Sequence, residues 1–92
     1  MLQVTQEATT ILKEVRDRSG APAEAGVRIQ VERTEENTKV VQLHFQKEPE
    51  PADQTIETPE LRVFVSKELV EPLSNRVLDA KATHRGTELT FR

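Results

Sequence analysis

The sequence predicts a small α+β domain: short, mostly antiparallel strands in a sandwich-like arrangement, covered by an N-terminal helix and a second, shorter helix. Three observations carry this prediction. Ala8, Ile11, Leu12 and Val15 recur at the i, i+3, i+4, i+7 spacing of an amphipathic helix. Two later runs, Val27-Ile29-Val31 and Val41-Leu43-Phe45, alternate apolar with polar residues at the period of a strand. Leu61 to Leu73 then reads as a buried strand, a cap and a one-stripe helix.

Each element has its own local logic. Leu2 and Val4 suit a brief edge strand, and Thr5 is placed to cap the first helix through its hydroxyl. Lys13, Glu14, Arg16 and Asp17 are expected on the polar face of that helix, with Asp17-Arg18-Ser19 a solvated terminus. Gly20 follows the last turn as a C′ residue should, and Pro22 blocks continuation. The loop Ala21–Ala25 leads to the first alternating strand. The polar stretch from Thr34 to Thr38 then turns the chain into the second, giving a hairpin. A loop around Pro49–Asp53 precedes a short strand near Thr55–Glu57. In Leu61–Val65, residues Leu61, Val63 and Val65 share one face, and Phe64 makes the other partly apolar. Ser66 stands where a hydroxyl cap belongs, Glu68 favours the first turn electrostatically, and Leu69, Val70 and Leu73 form the stripe. Val77–Ala80 is extended, Lys81–Thr87 reads as a polar turn, and Leu89 and Phe91 alternate in a last strand.

At 92 residues the chain is expected to be one domain, residues 1–92, with an aliphatic core. Apolar residues make up 35% and charged residues 32%, and the net charge is −3 with the two signs interleaved. No basic stripe or aromatic platform stands out, so nucleic acid is not an expected partner. The chain has no cysteine, which excludes disulfides, thiolate metal sites and thiol catalysis. No apolar leader or spanning run is visible, so no membrane role is expected and a cytoplasmic location is.

The order of motifs resembles the A-type iron–sulfur carriers, also called HesB-like or IscA-like domains. Gly26-Val27-Arg28-Ile29 is similar to that family's G-x-R-[IL] strand, and Val41–Phe45 to its aliphatic-x-F strand. Pro49–Asp53 resembles its P-x-x-x-D loop, and Leu78-Asp79 its L-D dipeptide. The resemblance spans nearly the whole chain and implies the fold. It also implies three cluster-ligating cysteines, one in the hairpin turn and two in a C-terminal C-x-C tail. Here Glu36 falls near the first position, and the chain ends at Arg92, where the tail would begin. The expected function is accordingly that of a non-catalytic HesB/IscA-like domain. The resemblance implies a link to cluster biogenesis, with action through a protein partner or as a homodimer and no catalytic, cofactor or metal residues assigned.

An alternative keeps weak iron or zinc binding through Glu35, Glu36 and a histidine, His44 or His84, at the former cluster site. His44 shares a strand with Val41, Leu43 and Phe45 but lies on its opposite face, as a solvated or partly packed residue does. Glu48, Glu50 and Asp53 lack the spacing of a calcium loop and read as an exposed acidic loop. An acid–base enzyme would need Glu48, Asp53 or Asp79 in a cleft, and no G-x-S-x-G elbow is present.

Overall fold

The computed structural model describes all residues, Met1–Arg92. Its elements in chain order are β1 (Gln3–Val4), α1 (Gln6–Ser19), β2 (Gly26–Arg33), β3 (Lys39–Gln46), β4 (Gln54–Glu57), β5 (Arg62–Val65), α2 (Lys67–Val70), β6 (Val77–Thr83) and β7 (Gly86–Phe91). They form a three-stranded sheet in the order β1-β6-β7 and a four-stranded sheet in the order β3-β2-β5-β4. The pairings β2–β3, β4–β5 and β6–β7 are antiparallel. The pairings β1–β6 and β2–β5 are parallel, so both sheets are mixed. Parallel neighbours require crossovers, and alternation within a strand says nothing about which distant strand it will meet.

One apolar cluster joins both sheets and both helices. Val27 and Ile29 of β2 and Val63 and Val65 of β5 meet Ala8 and Leu12 of α1, Leu69 of α2, and Leu2, Leu73 and Leu78. Phe64, fully buried, lies on the opposite face of its sheet, as the sequence suggests. The two chain ends flank one strand: Gln3 pairs with Val77 on one side, and Arg92 exchanges both backbone hydrogen bonds with Val77 on the other. No helix is long and apolar enough to cross a membrane.

Helix α1 begins as expected, with the Thr5 hydroxyl accepting the Ala8 N–H at 3.1 Å and Gly20 in the left-handed conformation at its end (φ 84°). Its buried face differs from the expected stripe. Ala8, Thr9, Leu12 and Arg16 are buried, whereas Val15 is 39% exposed. Arg16, expected on the polar face, is instead covered, because its guanidinium Nη1–H donates to the carbonyl of Ala25 at 3.1 Å and Nε–H to Asp17 at 3.2 Å. The rotation follows from what lies opposite. Ile11 faces the small side chains Ala80, Ala82 and Thr87, which leave an open cleft of about 420 Å³.

Two other expectations are corrected. The Ser66 backbone has cap geometry, and its carbonyl accepts the Leu69 N–H at 2.9 Å, but its hydroxyl makes no cap bond. The residue is 5% exposed and the Oγ has no partner, because the Leu69 N–H that a cap hydroxyl would take goes to the Ser66 carbonyl instead. The polar segment Lys81–Thr87 is mostly strand: β6 and β7 run to a tight turn at His84-Arg85. Thr83 Oγ1 donates to the Gly86 carbonyl and accepts from Arg85 N–H, and Gly86 supplies φ 114°. Exposure on both faces made these strand ends look like loop.

Candidate functional site

The residues that the sequence motifs single out come together in two small networks, and both tie structure to structure. The first lies on the face of the four-stranded sheet away from the core. Strand alternation puts Gly26 and Arg28 of β2 and Arg62 and Phe64 of β5 on this face. A side chain on Gly26 would sit 2.6 Å from the Arg62 carbonyl and 2.9 Å from the Phe64 ring, so only glycine fits here. The Arg62 guanidinium stands over that ring, 5.1 Å from its centroid.

Arg28, opposite Phe64 in register, reaches the Pro49–Asp53 loop. Its Nε–H and Nη2–H donate to the two oxygens of Asp53 at 2.8 and 2.9 Å, a bidentate pair, and Nη1–H donates to Gln30. Asp53 Oδ2 also accepts the Glu50 N–H at 3.0 Å. Hydrogen bonding from Arg28, outweighing burial, holds the Asp53 carboxyl below the usual carboxylate range and raises the guanidinium's own pKa. The Asp53 side chain is only 2% exposed. The loop is therefore not wholly the solvated one expected, because its last acid is consumed by Arg28 and closes the loop onto the sheet.

The second network centres on Asp79. Oδ1 accepts the Thr5 hydroxyl and the Ala80 N–H, each at 2.8 Å, and Oδ2 pairs with Arg92 at 3.1 Å. The Thr5 hydrogen bond, then that of Ala80, then the charge of Arg92 lower the Asp79 pKa. Leu78, its neighbour, is fully buried in the core. The dipeptide thus holds β6 to the head of α1.

The remaining candidates stay apart. Glu35 and Glu36 are exposed in the β2–β3 turn, which Asn37 closes with φ 62° and Thr34 with backbone bonds to Asn37 and Thr38. His84 is exposed in the β6–β7 turn of the other sheet. His44 is half-buried on the outer face of β3, with Nε2 2.7 Å from Gln46 Oε1. No three histidine or carboxylate side chains converge as metal ligands would, so Glu35, Glu36 and a histidine do not form the site of the alternative reading. Nor do the clefts gather the acids named for an acid–base reading. One is that beside Ile11. A second, of similar volume, is lined by Val4, Gln6, Thr9 and Glu57–Glu60, and a third, of about 180 Å³, by Met1, Gln3 and residues 74–77. Glu48, Asp53, Asp79 and both histidines line none of them.

Sequence reasoning quoted Arg28 and Asp53 as parts of separate motifs and missed that they bond to each other. A basic residue on the polar face of a strand and an acid closing a proline loop was the available signal.

No family model matches the sequence, and no curated protein is similar enough to match it. Solved structures with the same architecture exist. The chain superposes on IscA crystallised with a 2Fe–2S cluster (TM-score 0.82, 22% identity, covering 100% of this chain and 84% of that one). It likewise matches Escherichia coli SufA, involved in biosynthesis of iron–sulfur clusters (TM-score 0.75, 21% identity, 99% and 78%). A third match is an Aquifex aeolicus protein solved by solution NMR (TM-score 0.73, 20% identity, 99% and 89%). At these identities the likeness establishes the fold and no more.

Proposed function

We propose that this chain, which has the HesB/IscA-like fold and no cysteine, is a non-catalytic protein-contact domain associated with iron–sulfur cluster biogenesis. In this reading residues 1–92 act as one unit in the cytoplasm, and the chain recognises partners of that process without holding a cluster itself. One observation carries it: the motif residues that remain, Gly26, Arg28, Asp53, Leu78 and Asp79, all maintain the architecture. Meanwhile the hairpin turn where the resembling family places a thiolate carries Glu36, exposed and without converging neighbours. A domain that keeps this architecture and gathers no ligand set suits docking to a protein partner.

The test is anaerobic incubation with Fe²⁺ and sulfide, desalting, and a visible spectrum, alongside calorimetric titration of Fe²⁺ and Zn²⁺. The expected result is a flat visible region and no heat of metal binding. A protein-bound chromophore, or stoichiometric binding abolished by Glu36→Gln, would overturn the reading.

A further inference from the structure

We infer that the trough between α1 and the β6–β7 hairpin receives an amphipathic helix of a partner protein, apolar toward the sheet and basic toward α1. The inference rests on the protein-contact reading above and gives that partner its chemistry.

One helix does not cover this sheet. Strands lie about 4.8 Å apart and a helix is about 10 Å across, so α1 spans about two of the three strands. Within the sheet it packs chiefly on β6. Leu78 of β6 is in the core, and alternation puts Ala80 and Ala82 on the same face. Register adds Leu89 opposite Ala80 and Thr87 opposite Ala82. Beyond α1 this face is open: Ala80 and Leu89 are half-buried, and Ala82 and Thr87 are exposed. Ala80, Ala82 and Thr87 line the cleft of about 420 Å³ beside Ile11.

The wall of the trough is itself a helix. Ile11 is half-buried, and Val15, one turn further along α1, is 39% exposed. An apolar floor that meets an apolar helical wall suits a second helix laid beside the first, with its own apolar residues spaced at i, i+3 or i+4, and i+7.

The charges at the trough have one sign. Glu7 lines it, and Glu14, seven residues on, lies on the same side of α1. Neither belongs to an ion pair. No lysine or arginine lines the cleft. Lys81 and Glu88 of the hairpin stand opposite each other in register and face away from the trough. A helix that settles its apolar side here therefore meets two unneutralised carboxylates along α1, and lysine or arginine on that flank is their complement.

The probe is a synthetic helix of about 14 residues with leucine on one face and lysine on the other. At physiological salt its labelled form should bind saturably by fluorescence anisotropy. The amide chemical shifts that move should concentrate at Glu7, Ile11, Val15, Ala80, Ala82 and Leu89. The leucine–glutamate counterpart should bind about tenfold more weakly. A leucine–lysine peptide of the same composition in strand alternation should leave those shifts unmoved. Glu7→Lys/Glu14→Lys, folded by circular dichroism, should reverse the preference between the two helical peptides. Glu35→Lys/Glu36→Lys makes the same change of net charge in the β2–β3 turn of the other sheet, beyond screening distance for direct contact, and should leave the preference as it was. No binding overturns the inference. So does binding that moves shifts elsewhere, or a charge preference that follows Glu35 and Glu36 in place of Glu7 and Glu14. Either failure, with a flat visible spectrum after iron and sulfide, leaves the protein-contact reading standing on another surface, whereas a bound chromophore overturns that reading whatever the peptides do.

Discussion

At the scale of the residue, the Arg28–Asp53 pair is the molecule's most consequential polar contact. It is bidentate, and Asp53 has almost no access to water. Removing the cation strands a desolvated carboxylate, so Arg28→Ala should cost about 3 kcal/mol in urea unfolding at neutral pH. The acid limb of stability has a definite sign. Asp53 has a folded pKa below its unfolded value, so its contribution is fully present above about pH 4 and lost as pH falls through the folded pKa. The stability gap between wild type and Asp53→Asn should therefore shrink as pH drops below about 4. The slope that remains in the variant belongs to the other carboxyls held below their usual range, Asp79, Asp17 and Glu24. A gap that stayed constant into strong acid would show that the pair contributes nothing through charge.

At the scale of the element, local chemistry predicted backbone shape better than it predicted side-chain partners. Thr5 caps α1 with its hydroxyl, while Ser66 has the same backbone role over α2 and leaves its hydroxyl buried and unpaired. The two residues look alike in sequence because a cap is read from residue type and position alone. They differ because the Ala8 N–H reaches the Thr5 hydroxyl, whereas the corresponding Leu69 N–H bonds the Ser66 carbonyl. The variants should separate accordingly. Ser66→Ala should stabilise the protein by about 1 kcal/mol, since it removes an unsatisfied buried hydroxyl, where loss of a true cap would destabilise by a similar amount. Thermal or denaturant unfolding gives the sign directly. The helix stripe shows the same division: Ala8 and Leu12 were legible as core, but the burial of Arg16 depended on a carbonyl at Ala25 that no periodicity within α1 reports.

At the scale of the whole molecule, the α+β class and the strands β2, β3 and β5 were readable from alternation, whereas the full length of β6 and β7 and the way the sheets are assembled were not. Val27, Ile29, Val63 and Val65 announce two half-buried strands. Nothing in them announces that β2 and β5 run parallel side by side, or that β1 reaches across the chain to β6. Those pairings depend on which surfaces remain uncovered once α1 and the hairpin have formed. The site was legible to the same extent. The absence of cysteine could be read at once, but only the fold shows that Arg28 and Asp53 bond each other and that Leu78 and Asp79 join the core to the head of α1.

The position of the chain ends has a consequence for connectivity. Gln3 and Arg92 sit on either side of Val77, two inter-strand spacings or about 10 Å apart. The order in which the elements are linked is therefore nearly arbitrary around this sheet, and the ends can be exchanged for an opening elsewhere. A circular permutant that joins Arg92 to Met1 through a linker of about five residues, and opens the chain between Glu35 and Glu36, should fold with native circular dichroism and cooperative unfolding. Failure of that permutant would show that the β2–β3 turn must stay covalently closed for the four-stranded sheet to form, and would make this hairpin the first structure the chain has to build.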